Sequence, residues 1–525
     1  MPRLTMLLMV AALIMVLQQG SVDCARILCL FPVPSKSHLV VFSEMTRELA
    51  RRGHELVVAS PFPLSKAPTN YTDINTMPSI FEIHQEMMSI DLYSMTEMPT
   101  YQIPFLYWYH GFKVMNGTLN DPGVLALLKD KQGFDLVICE DFLSESLYAF
   151  ADYFKAPLIL ISSLGGFHWT NYEVGNPLEP TYVPNPMLSY SDRMTLNERL
   201  VNTLFAAAWD FGNFVFYLPR QEELRKKVFG AQTRSVWDLR YSASLVLLNS
   251  HFSLNHPRPL PPAMIEVGGL HVARSFKKLP EDLQSFLDGA TEGAIYFSMG
   301  SNLRSDAMPA HRRDAFLQAF AELPQRVIMK WESDSLPGQP KNVKLGKWLP
   351  QQDILAHPNV KMFITHGGLL SAQEAIYHGV PLVGIPVFGD QMLNMRKAVF
   401  GGYGVLVSLT NATKQSLQWA IEEALHNPSI RREAQRRSAV FRDQLETPLD
   451  RAVFWVEHVL RHKGAPHLRS AALDLAWYQL YMLDLAAIVL LTFLVALFIS
   501  YKLLQRMCSK SNSPKIRKSN KKKRK

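Results

Sequence analysis

A histidine and two glycines between apolar runs mark the part of this chain best suited to hold an anion. Residues 363–391 read FITHGGLLSAQEAIYHGVPLVGIPVFGDQ, so a short strand ends at His366, Gly367 and Gly368 form a turn, and a helix follows. At a helix N-terminus the backbone N–H groups point outward and the helix dipole favours negative charge. The pattern therefore predicts a phosphate-binding site where this helix begins.

A second candidate is His38, which follows the apolar run at residues 26–31. Such a run predicts a buried parallel strand, and doubly wound folds place reactive residues at the carboxyl ends of strands. A hydroxyl nucleophile must lose its proton as it attacks, and a neutral imidazole near pH 7 is a suitable base. His38 is therefore a candidate general base, although a lone histidine is more often structural than catalytic.

The elements that must position these residues alternate between strands and helices. Apolar runs predict strands in the first half of the chain at residues 26–31, 55–60, 135–139, 157–162 and 245–249. In the second half they predict strands at residues 294–298, 327–331, 361–365, 381–387 and 405–409. Two such halves, joined by a Pro-rich and charged segment, predict an α/β fold with two doubly wound Rossmann-like domains facing a cleft.

Residues 63–133 and 163–243 interrupt this alternation and are rich in aromatic residues and methionine. We expect insertions and helices that surround an apolar pocket. Ordinary core helices explain any single segment equally well. A pocket of this kind suits a small lipophilic molecule and argues against a large polar polymer.

Both ends of the chain have features of targeting segments. Residues 1–24 begin with Arg3 and contain an apolar run of 12 residues, which predicts a secretory signal, with an uncleaved anchor as the alternative. Residues 485–501 carry no charge and follow a tryptophan and two tyrosines. They predict a single transmembrane helix with an interfacial aromatic belt.

The basic charge of the chain belongs to its C-terminal tail. Residues 502–525 contain eleven Lys or Arg and no acidic residue, so the positive charge of the tail alone exceeds the net charge of +9 for the whole chain. The remainder is slightly acidic, so the basic balance gives no reason to expect nucleic-acid binding. The positive-inside rule predicts a cytosolic tail and places residues 25–484 on the other side of the membrane.

Three kinds of short signal bear on the compartment. The last four residues, Lys522–Lys525, resemble a dilysine signal that would engage coat proteins and return the protein to the endoplasmic reticulum; a stop-transfer charge cluster is the alternative. Cys29 and Cys139 each sit in an apolar strand and are expected to be buried thiols. Glycosylation sequons that fit a lumenal body occur at Asn70, Asn116 and Asn411.

Residues 363–391 resemble the signature of the UDP-glycosyltransferase family at every defined position. The resemblance extends over the signal, both domains, the membrane helix and the dilysine-type tail. The sequence HGGLLSAQEAIYHGVP is most similar to that of insect members. It implies the two-domain GT-B fold, with a UDP-sugar bound mainly by the C-terminal domain and the sugar transferred with inversion.

The resemblance implies a set of nucleoside contacts. Trp348 would stack on uracil, with Gln351 closing the base pocket, and Glu374 would accept hydrogen bonds from the ribose hydroxyls. Trp348 is also compatible with a core role. Residues 371–374 read SAQE, which is also the pattern of a helix capping box, and both roles of Glu374 can hold together.

The diphosphate contacts implied by the resemblance come from two loops. His366, the backbone at Gly368 and Ser371 belong to the glycine turn, and Ser301 belongs to the first loop of the same domain. Many relatives have Asn where this chain has Leu370, so one side-chain contact to phosphate is in doubt here.

For the sugar and the acceptor, the resemblance implies contacts from Asp390-Gln391 to sugar hydroxyls and from His38 to the acceptor hydroxyl. A carboxylate normally orients such a base. The strand that begins at Phe134 is followed by Glu140 and Asp141, and either could fill that place. Strict alignment favours Glu140. We prefer Asp141, whose shorter side chain fits if the strand end shifts by one residue.

The function implied is transfer of a hexose from a UDP-sugar to a hydroxyl of a small lipophilic acceptor. We expect glucose, because we can place no basic residue for the carboxylate of glucuronate; glucuronosyl transfer is the alternative. A catalytically silent lipophile-binding protein is another, against which the presence of His38 and the donor motif argues. No cofactor or metal is expected, since the UDP-sugar is a co-substrate and no Asp-x-Asp cluster occurs.

We predict a membrane enzyme of the endoplasmic reticulum whose body lies in the lumen. The sequence does not decide whether the chain forms a homo-oligomer. The predicted segments are a signal (1–24), an acceptor-binding domain (25–272), a linker (273–290), a UDP-sugar-binding domain with return helices (291–465), a juxtamembrane segment (466–484), a transmembrane helix (485–501) and a basic cytosolic tail (502–525).

Overall fold

Two parallel β-sheets organise the first of the two compact units of the chain, residues 1–470. A computed structural model describes residues 24–177, 179–272 and 277–511. The strands of the first sheet are Arg26–Leu30 (β1), Glu55–Ser60 (β2), Tyr71–Asn75 (β3), Leu136–Glu140 (β4), Leu158–Ser162 (β5), Ala243–Leu248 (β6) and Met264–Glu266 (β7). Their spatial order is β3-β2-β1-β4-β5-β6-β7.

The second sheet repeats the arrangement with Ala294–Ser298 (β8), Arg326–Lys330 (β9), Val343–Gly346 (β10), Val360–Thr365 (β11), Leu382–Gly384 (β12) and Gly404–Leu406 (β13). Their order is β10-β9-β8-β11-β12-β13. The strand order reverses between β1 and β4 in the first sheet and between β8 and β11 in the second. Open parallel sheets bind ligands beyond the carboxyl ends of the strands at such a reversal, so each sheet has one expected site.

Helices connect the strands and cover both sheets. Those of the first half are Lys36–Arg51 (α1), Met77–Ser89 (α2), Ile103–Leu119 (α3), Pro122–Leu127 (α4), Ala149–Phe154 (α5), His168–Tyr172 (α6), Leu196–Gly212 (α7), Leu218–Phe229 (α8) and Val236–Leu239 (α9), with a π-helical turn at Asn213–Tyr217. Those of the second half are Glu281–Asp288 (α10), Ala310–Ala321 (α11), Gln351–Leu355 (α12), Leu369–Tyr377 (α13), Gln391–Phe400 (α14), Lys414–His426 (α15), Pro428–Arg442 (α16) and Pro448–Arg461 (α17). Short 3₁₀ turns lie at Leu92–Glu97, Thr100–Gln102, Glu145–Tyr148, Ser305–Ala307, Leu409–Asn411 and Pro466–Leu468.

The last helix of this unit returns to the first sheet. Val453 and Val456 of α17 are fully buried in the same apolar cluster as Ile27 of β1 and Phe42 of α1. Burial of such side chains contributes roughly 1.5–3 kcal/mol each. The first sheet is therefore closed on one face by residues that lie more than 400 positions apart in the sequence.

The predicted fold class, α/β with two doubly wound sheets, is confirmed. All the predicted strands are present, with ends within three residues of the prediction. The sequence missed β3, β7 and β10, which are all edge strands. An edge strand is short and partly exposed, and the pattern of β3 is only one buried residue followed by four that are half-buried or exposed.

The second unit, residues 471–525, contains a 3₁₀ turn at Ala471–Asp474, a short helix at Trp477–Leu480 (α18) and a long helix at Leu483–Ser511 (α19). Residues Leu483–Cys508 of α19 are long and apolar enough to cross a membrane. They include the predicted span at 485–501. Outside the described residues lie 1–23 of the predicted signal, 273–276 of the linker, and 512–525 of the tail, which include the dilysine-type signal.

Candidate active site

His38 and Glu140 meet at the strand reversal of the first sheet. His38 lies in the first turn of α1, directly after β1, and Glu140 is the last residue of β4. The imidazole Nδ1 is 2.5 Å from Oε1 of Glu140 and 3.0 Å from Oγ of Ser163. Within the part of the chain that the structure describes, Nε2 of His38 has no hydrogen-bond partner. The arrangement is a base held by a buried carboxylate, with one ring nitrogen left for a substrate.

The preference for Asp141 as the partner of His38 is wrong, and the alternation of side chains along β4 explains why. Ile138 lies in the same apolar cluster as Phe42 of α1, so Glu140, two residues later, points towards the same face of the sheet. Glu140 still pairs with Ile161 of β5, so the strand continues to its end without the assumed shift. Asp141 therefore points away from His38.

Asp141 is instead buried beneath α6. Its carboxylate accepts hydrogen bonds from Trp169 Nε1 at 3.1 Å and from Thr170 Oγ1 at 2.5 Å. Burial raises the pKa of Asp141 to about 7, and the nearby Glu145 and Glu140 act in the same direction, while the bonds from Thr170 and Trp169 oppose the rise. Asp141 thus contributes to the structure around the site and titrates near neutral pH.

The raised pKa of Asp141 makes a prediction about stability. The unfolded carboxyl ionises above about pH 4, whereas the folded one keeps its proton to about pH 7, so this group destabilises the fold progressively between those values. Asp141→Asn stays neutral and keeps an oxygen for Trp169. The melting temperature of the variant minus that of the wild type should therefore be higher at pH 8 than at pH 5. An equal difference at both pH values, as expected for the exposed control Asp334→Asn, would contradict this account.

An aromatic cluster adjoins the His38 side chain. The ring of Phe142 meets the imidazole edge-on at 5.6 Å and contacts Tyr107 at 6.0 Å, and Trp169 stacks on Trp209 at 5.2 Å. The buried members of the cluster are Trp108, Leu143, Phe167, Trp169, Trp209 and Tyr217. All of them except Leu143 come from the two irregular segments of the sequence, which therefore converge beside the candidate base.

His366 occupies the strand reversal of the second sheet, directly after β11. Its ring is wedged between two glycines: a Cβ on Gly300, where φ is +84°, would lie 2.4 Å from the ring, and one on Gly368 would lie 2.6 Å away. Only glycine leaves room at both positions. Burial, with a smaller effect of Lys330, lowers the pKa of His366 to about 4. At neutral pH the imidazole therefore offers a hydrogen bond rather than a full positive charge.

The helix that follows His366 begins earlier than the capping box predicted. Gly368 is the N-cap of α13, so Ser371 lies inside the first turn and caps nothing. Its hydroxyl instead accepts a hydrogen bond from Gln351 Nε2 at 3.0 Å. The backbone N–H groups at this helix start are thus left without a side-chain cap, as an anion site requires.

Glu374 is the centre of a polar group on the inner side of α13. Its carboxylate accepts hydrogen bonds from Gln351 Nε2 at 2.5 Å and Gln352 Nε2 at 3.3 Å. His271 Nε2 lies 3.4 Å from the same carboxylate. Glu374 and Gln351 were both expected in the nucleoside pocket, and they lie in direct contact.

Trp348 and Ser301 lie on the surface of the same half. Trp348 is 71% exposed, which excludes a core role, and the ammonium group of Lys36 lies 6.0 Å from its ring centroid. Ser301 is also exposed, and its neighbour Asn302 donates a hydrogen bond to Ser35 at 3.1 Å. These contacts join the loop after β1 to the loops of the second sheet, so the two predicted halves of the site face each other.

Asp390 lies between the two halves. Burial raises the pKa of Asp390, while a 2.7 Å hydrogen bond from Asn394 and the nearby imidazole of His38 oppose the rise. Gln391 is differently placed, because its Oε1 already accepts hydrogen bonds from the backbone N–H groups of Val387 and Phe388. Asp390 is therefore free to face a ligand near His38, whereas the oxygen of Gln391 holds its own loop.

Several residues of the site carried no usable signal in the sequence. Ser163 and His271 are polar residues in loops, and only the fold brings them to His38 and Glu374 respectively. Gln352 carried no usable signal either, because it follows Gln351 on α12 and consecutive helix residues do not face each other. Asn394 differs, because it lies four residues after Asp390, a spacing that a helix brings together.

Comparison with known proteins identifies the family. The model for UDP-glucoronosyl and UDP-glucosyl transferase matches residues 27–518. The chain belongs to this family. It is a UDP-glycosyltransferase, so the resemblance seen in residues 363–391 is confirmed, and the alternative of a silent binding protein is not supported.

Individual relatives cover nearly the whole UDP-glycosyltransferase chain. UDP-glycosyltransferase UGT5 of Dactylopius coccus is 37% identical over 483 residues, 91% of each chain. UDP-glucosyltransferase 2 of the same insect is 35% identical over 97% of this chain and 99% of its own. UDP-glucuronosyltransferase 2C1 of Oryctolagus cuniculus is 31% identical over 91% of this chain and 98% of its own.

Solved structures support the fold of this UDP-glycosyltransferase. The glycotransferase of kitacinnamycin aligns with a TM-score of 0.56 at 19% identity, over 84% of this chain and all of its own. A UDP-glucose: anthocyanidin 3-O-glucosyltransferase aligns with a TM-score of 0.56 at 18% identity, over 84% of this chain and all of its own. The body has the GT-B architecture.

Proposed function

We propose that this enzyme transfers glucose from UDP-glucose to a hydroxyl group of a small lipophilic acceptor, with inversion at the anomeric carbon. The observation that carries the proposal is the 2.5 Å contact between His38 and Glu140, with Asp390 within electrostatic reach on the opposite side of the cleft. One half of the cleft then supplies the catalytic base, and the other half binds the UDP-sugar donor.

In this mechanism Nε2 of His38 takes the proton of the acceptor hydroxyl as its oxygen attacks the anomeric carbon. Glu140 accepts the hydrogen bond of Nδ1–H and balances the charge of the imidazolium that forms. The bond between the sugar and UDP breaks on the opposite face. The uncapped N-terminus of α13 and one N–H of His366 stabilise the negative charge on the departing diphosphate.

The nucleoside would lie between Trp348 and Glu374. The exposed indole of Trp348 offers a flat face to the uracil ring, and Glu374 accepts hydrogen bonds from the ribose hydroxyls. Before UDP-sugar binds, Gln351 and Gln352 occupy that carboxylate. They therefore hold Glu374 ready without leaving a buried charge unpaired.

Glu374→Gln tests this role. The amide loses one acceptor oxygen and turns an N–H group towards the donors around it, so the ribose is bound less well. The KM for UDP-sugar should rise about ten-fold, with kcat changed by less than about three-fold, since uniform binding is lost. The exposed carboxylate variant Glu322→Gln is the matched control on the same half. An unaltered KM in Glu374→Gln would remove Glu374 from the donor site.

The acceptor would bind against the aromatic cluster beside His38. Phe142 and Tyr107 adjoin the imidazole, and the surrounding rings offer a largely apolar surface. Such a surface favours a flat or lipophilic molecule that presents one hydroxyl group.

Glucuronosyl transfer is the second candidate, and a specific observation favours it. Lys397 lies two turns after Asp390 on α14, and its ammonium group donates a hydrogen bond to Asn255 at 2.6 Å. Burial and Arg258 lower the pKa of Lys397 to about 8, while Asp390 raises it. A cation in this position could meet the carboxylate of a uronic acid. One relative named above is a glucosyltransferase and another a glucuronosyltransferase, so similarity favours neither donor.

The enzyme is further proposed to reside in the endoplasmic reticulum, with its body in the lumen and the tail available to coat proteins. The candidate membrane span and the basic residues after it support this topology. The sequons at Asn116 and Asn411 are exposed, as glycosylation requires. Asn70 is a poor acceptor, because its Nδ2 donates to the carbonyl groups of Ala50 and His54 at 2.8 and 2.6 Å.

A donor competition decides between the candidates. Purified full-length enzyme in lipid nanodiscs is incubated with a panel of phenols and either UDP-glucose or UDP-glucuronate, and conjugates are detected by mass spectrometry. We expect glucosides with UDP-glucose. Conjugates formed only from UDP-glucuronate would overturn the choice of sugar. The absence of any conjugate, in a preparation that binds UDP, would contradict the proposed reaction for this class of acceptor.

A further inference from the structure

The helix α7 exposes large apolar side chains and buries polar ones, which is the reverse of an ordinary surface helix. Its outward stripe contains Leu196, Leu200, Leu204 and Phe211, all exposed by more than half, and Phe214 of the next turn continues it. The stripe follows the four-residue spacing of one helix face. The inward face buries Asn202, Trp209 and Asn213. A solvated helix normally buries its large aliphatic residues and exposes its polar ones.

Charge is absent from this stripe and present at its ends. Between residues 200 and 219 the sole charged residue is Asp210, whose carboxylate faces inward and accepts a 2.7 Å hydrogen bond from Tyr172. Exposed cations lie on both sides, at Arg199, Arg220, Lys226 and Lys227. An apolar face bounded by cations is typical of helices that lie in a membrane interface.

The apolar face extends beyond α7. The Trp108 ring lies 6.4 Å from Phe216 of the π-helical turn and 5.4 Å from Phe105 of α3. Phe105 and Tyr109 on α3 are themselves exposed. A continuous apolar surface formed by two helices is larger than the scattered apolar residues of an ordinary soluble surface.

We propose that this face, formed by the outer residues of α7, the following π-helical turn and the exposed end of α3, binds the surface of a lipid bilayer. The chain itself brings a bilayer within reach. Residues 471–482 connect the body to the candidate membrane span at Leu483–Cys508. Twelve residues extend at most about 40 Å, so an anchored body stays next to the lipid.

The inner side of the same helix gives this contact a consequence for the reaction. Trp209 belongs to the aromatic cluster beside His38, and Phe205 packs against it. A lipophilic acceptor dissolved in the bilayer would therefore be separated from the proposed acceptor site by a single layer of helices. The membrane surface, rather than bulk water, would then be the source of acceptor.

Photolabelling tests the contact in the full-length chain. The protein is reconstituted in nanodiscs of phosphatidylcholine and phosphatidylserine that contain a trace of lipid with a diazirine on its acyl chain, and labelled peptides are mapped by mass spectrometry. We expect label at residues 196–216 as well as at 483–508, the latter serving as an internal reference. Leu204→Glu combined with Phe211→Glu should reduce label at 196–216 at least ten-fold and leave the reference unchanged.

A matched pair of exposed apolar residues on the other half provides the control. Trp419→Glu combined with Leu445→Glu should leave both labels unchanged. Both double variants change exposed side chains, and melting curves establish that each is folded. Lipid label at 483–508 without label at 196–216 would overturn the proposal. Label on 196–216 from a second copy of the chain, seen with a photoreactive residue at position 211 and without lipid label, would overturn it in favour of self-association.

Discussion

His38→Ala should reduce the rate of glycosyl transfer by about 10³-fold while leaving UDP binding unchanged. General-base catalysis contributes roughly 10²–10⁴-fold, and Nε2 of His38 is the ring nitrogen left open for the acceptor hydroxyl. The donor contacts on the second sheet do not involve this side chain, so the affinity for UDP should stay within about two-fold. Single-turnover rates with saturating UDP-sugar, together with calorimetric titration of UDP, measure both quantities.

The control for this experiment is His311→Ala, which removes an exposed imidazole from α11 of the second half. It should transfer sugar at the wild-type rate. A His38→Ala enzyme that retains more than about a tenth of the rate would show that another group accepts the proton. Loss of UDP affinity in parallel with the rate would instead point to a misfolded site.

Glu140→Gln should lower the rate by about 10²–10⁴-fold, because the carboxylate fixes the tautomer of His38 and balances its charge in the transition state. The amide preserves size but can present an N–H group to Nδ1, which favours the wrong tautomer. Nδ1 would then accept a hydrogen bond instead of donating one. The ring proton would lie on Nε2, which could no longer accept the proton of the acceptor hydroxyl. Initial rates at saturating acceptor measure the effect.

Asp141→Asn is the matched control for Glu140→Gln. The two carboxylates are adjacent in the sequence and both are buried, yet Asp141 contacts Trp169 and Thr170 rather than the imidazole. The Asp141 variant should keep its rate within about five-fold. If it lost activity and Glu140→Gln kept it, the roles assigned to the two side chains would be reversed.

Much of the fold could be predicted because buried parallel strands have a strong signal. The strands β5 and β8 are fully buried and apolar up to their last residue, since helices cover both faces of a parallel sheet. The edge strands lack this signal. In β10 only Val343 is buried, so a pattern of apolar residues cannot distinguish the strand from a loop.

The identity of the catalytic carboxylate could not be read from the sequence, because it depends on one residue of register. The side chains of Glu140 and Asp141 point to opposite faces of the sheet, and their chemistry is the same. Only the register of β4 against its neighbours decides which one meets α1. The donor motif was less ambiguous, because His366 and Gly368 act through a backbone turn whose geometry the glycines impose.

The predicted capping box failed for a related physical reason. The pattern SAQE satisfies the rule for a helix start, but α13 begins at Leu369 because Gly368 already has the extended conformation of an N-cap. Glu374 then faces Gln351 rather than the backbone of Ser371. Tertiary contacts between two helices thus overrode a local preference worth about 1 kcal/mol.

The anomeric configuration of the product tests the central claim most directly. Proton NMR of the conjugate, recorded as it forms from an α-linked UDP-hexose, distinguishes inversion from retention at the anomeric carbon. The arrangement of one base at His38 with the donor across the cleft predicts a β-linked product from the first turnover. An α-linked product would require a double displacement, or attack on the same face as the departing UDP, and would contradict the account.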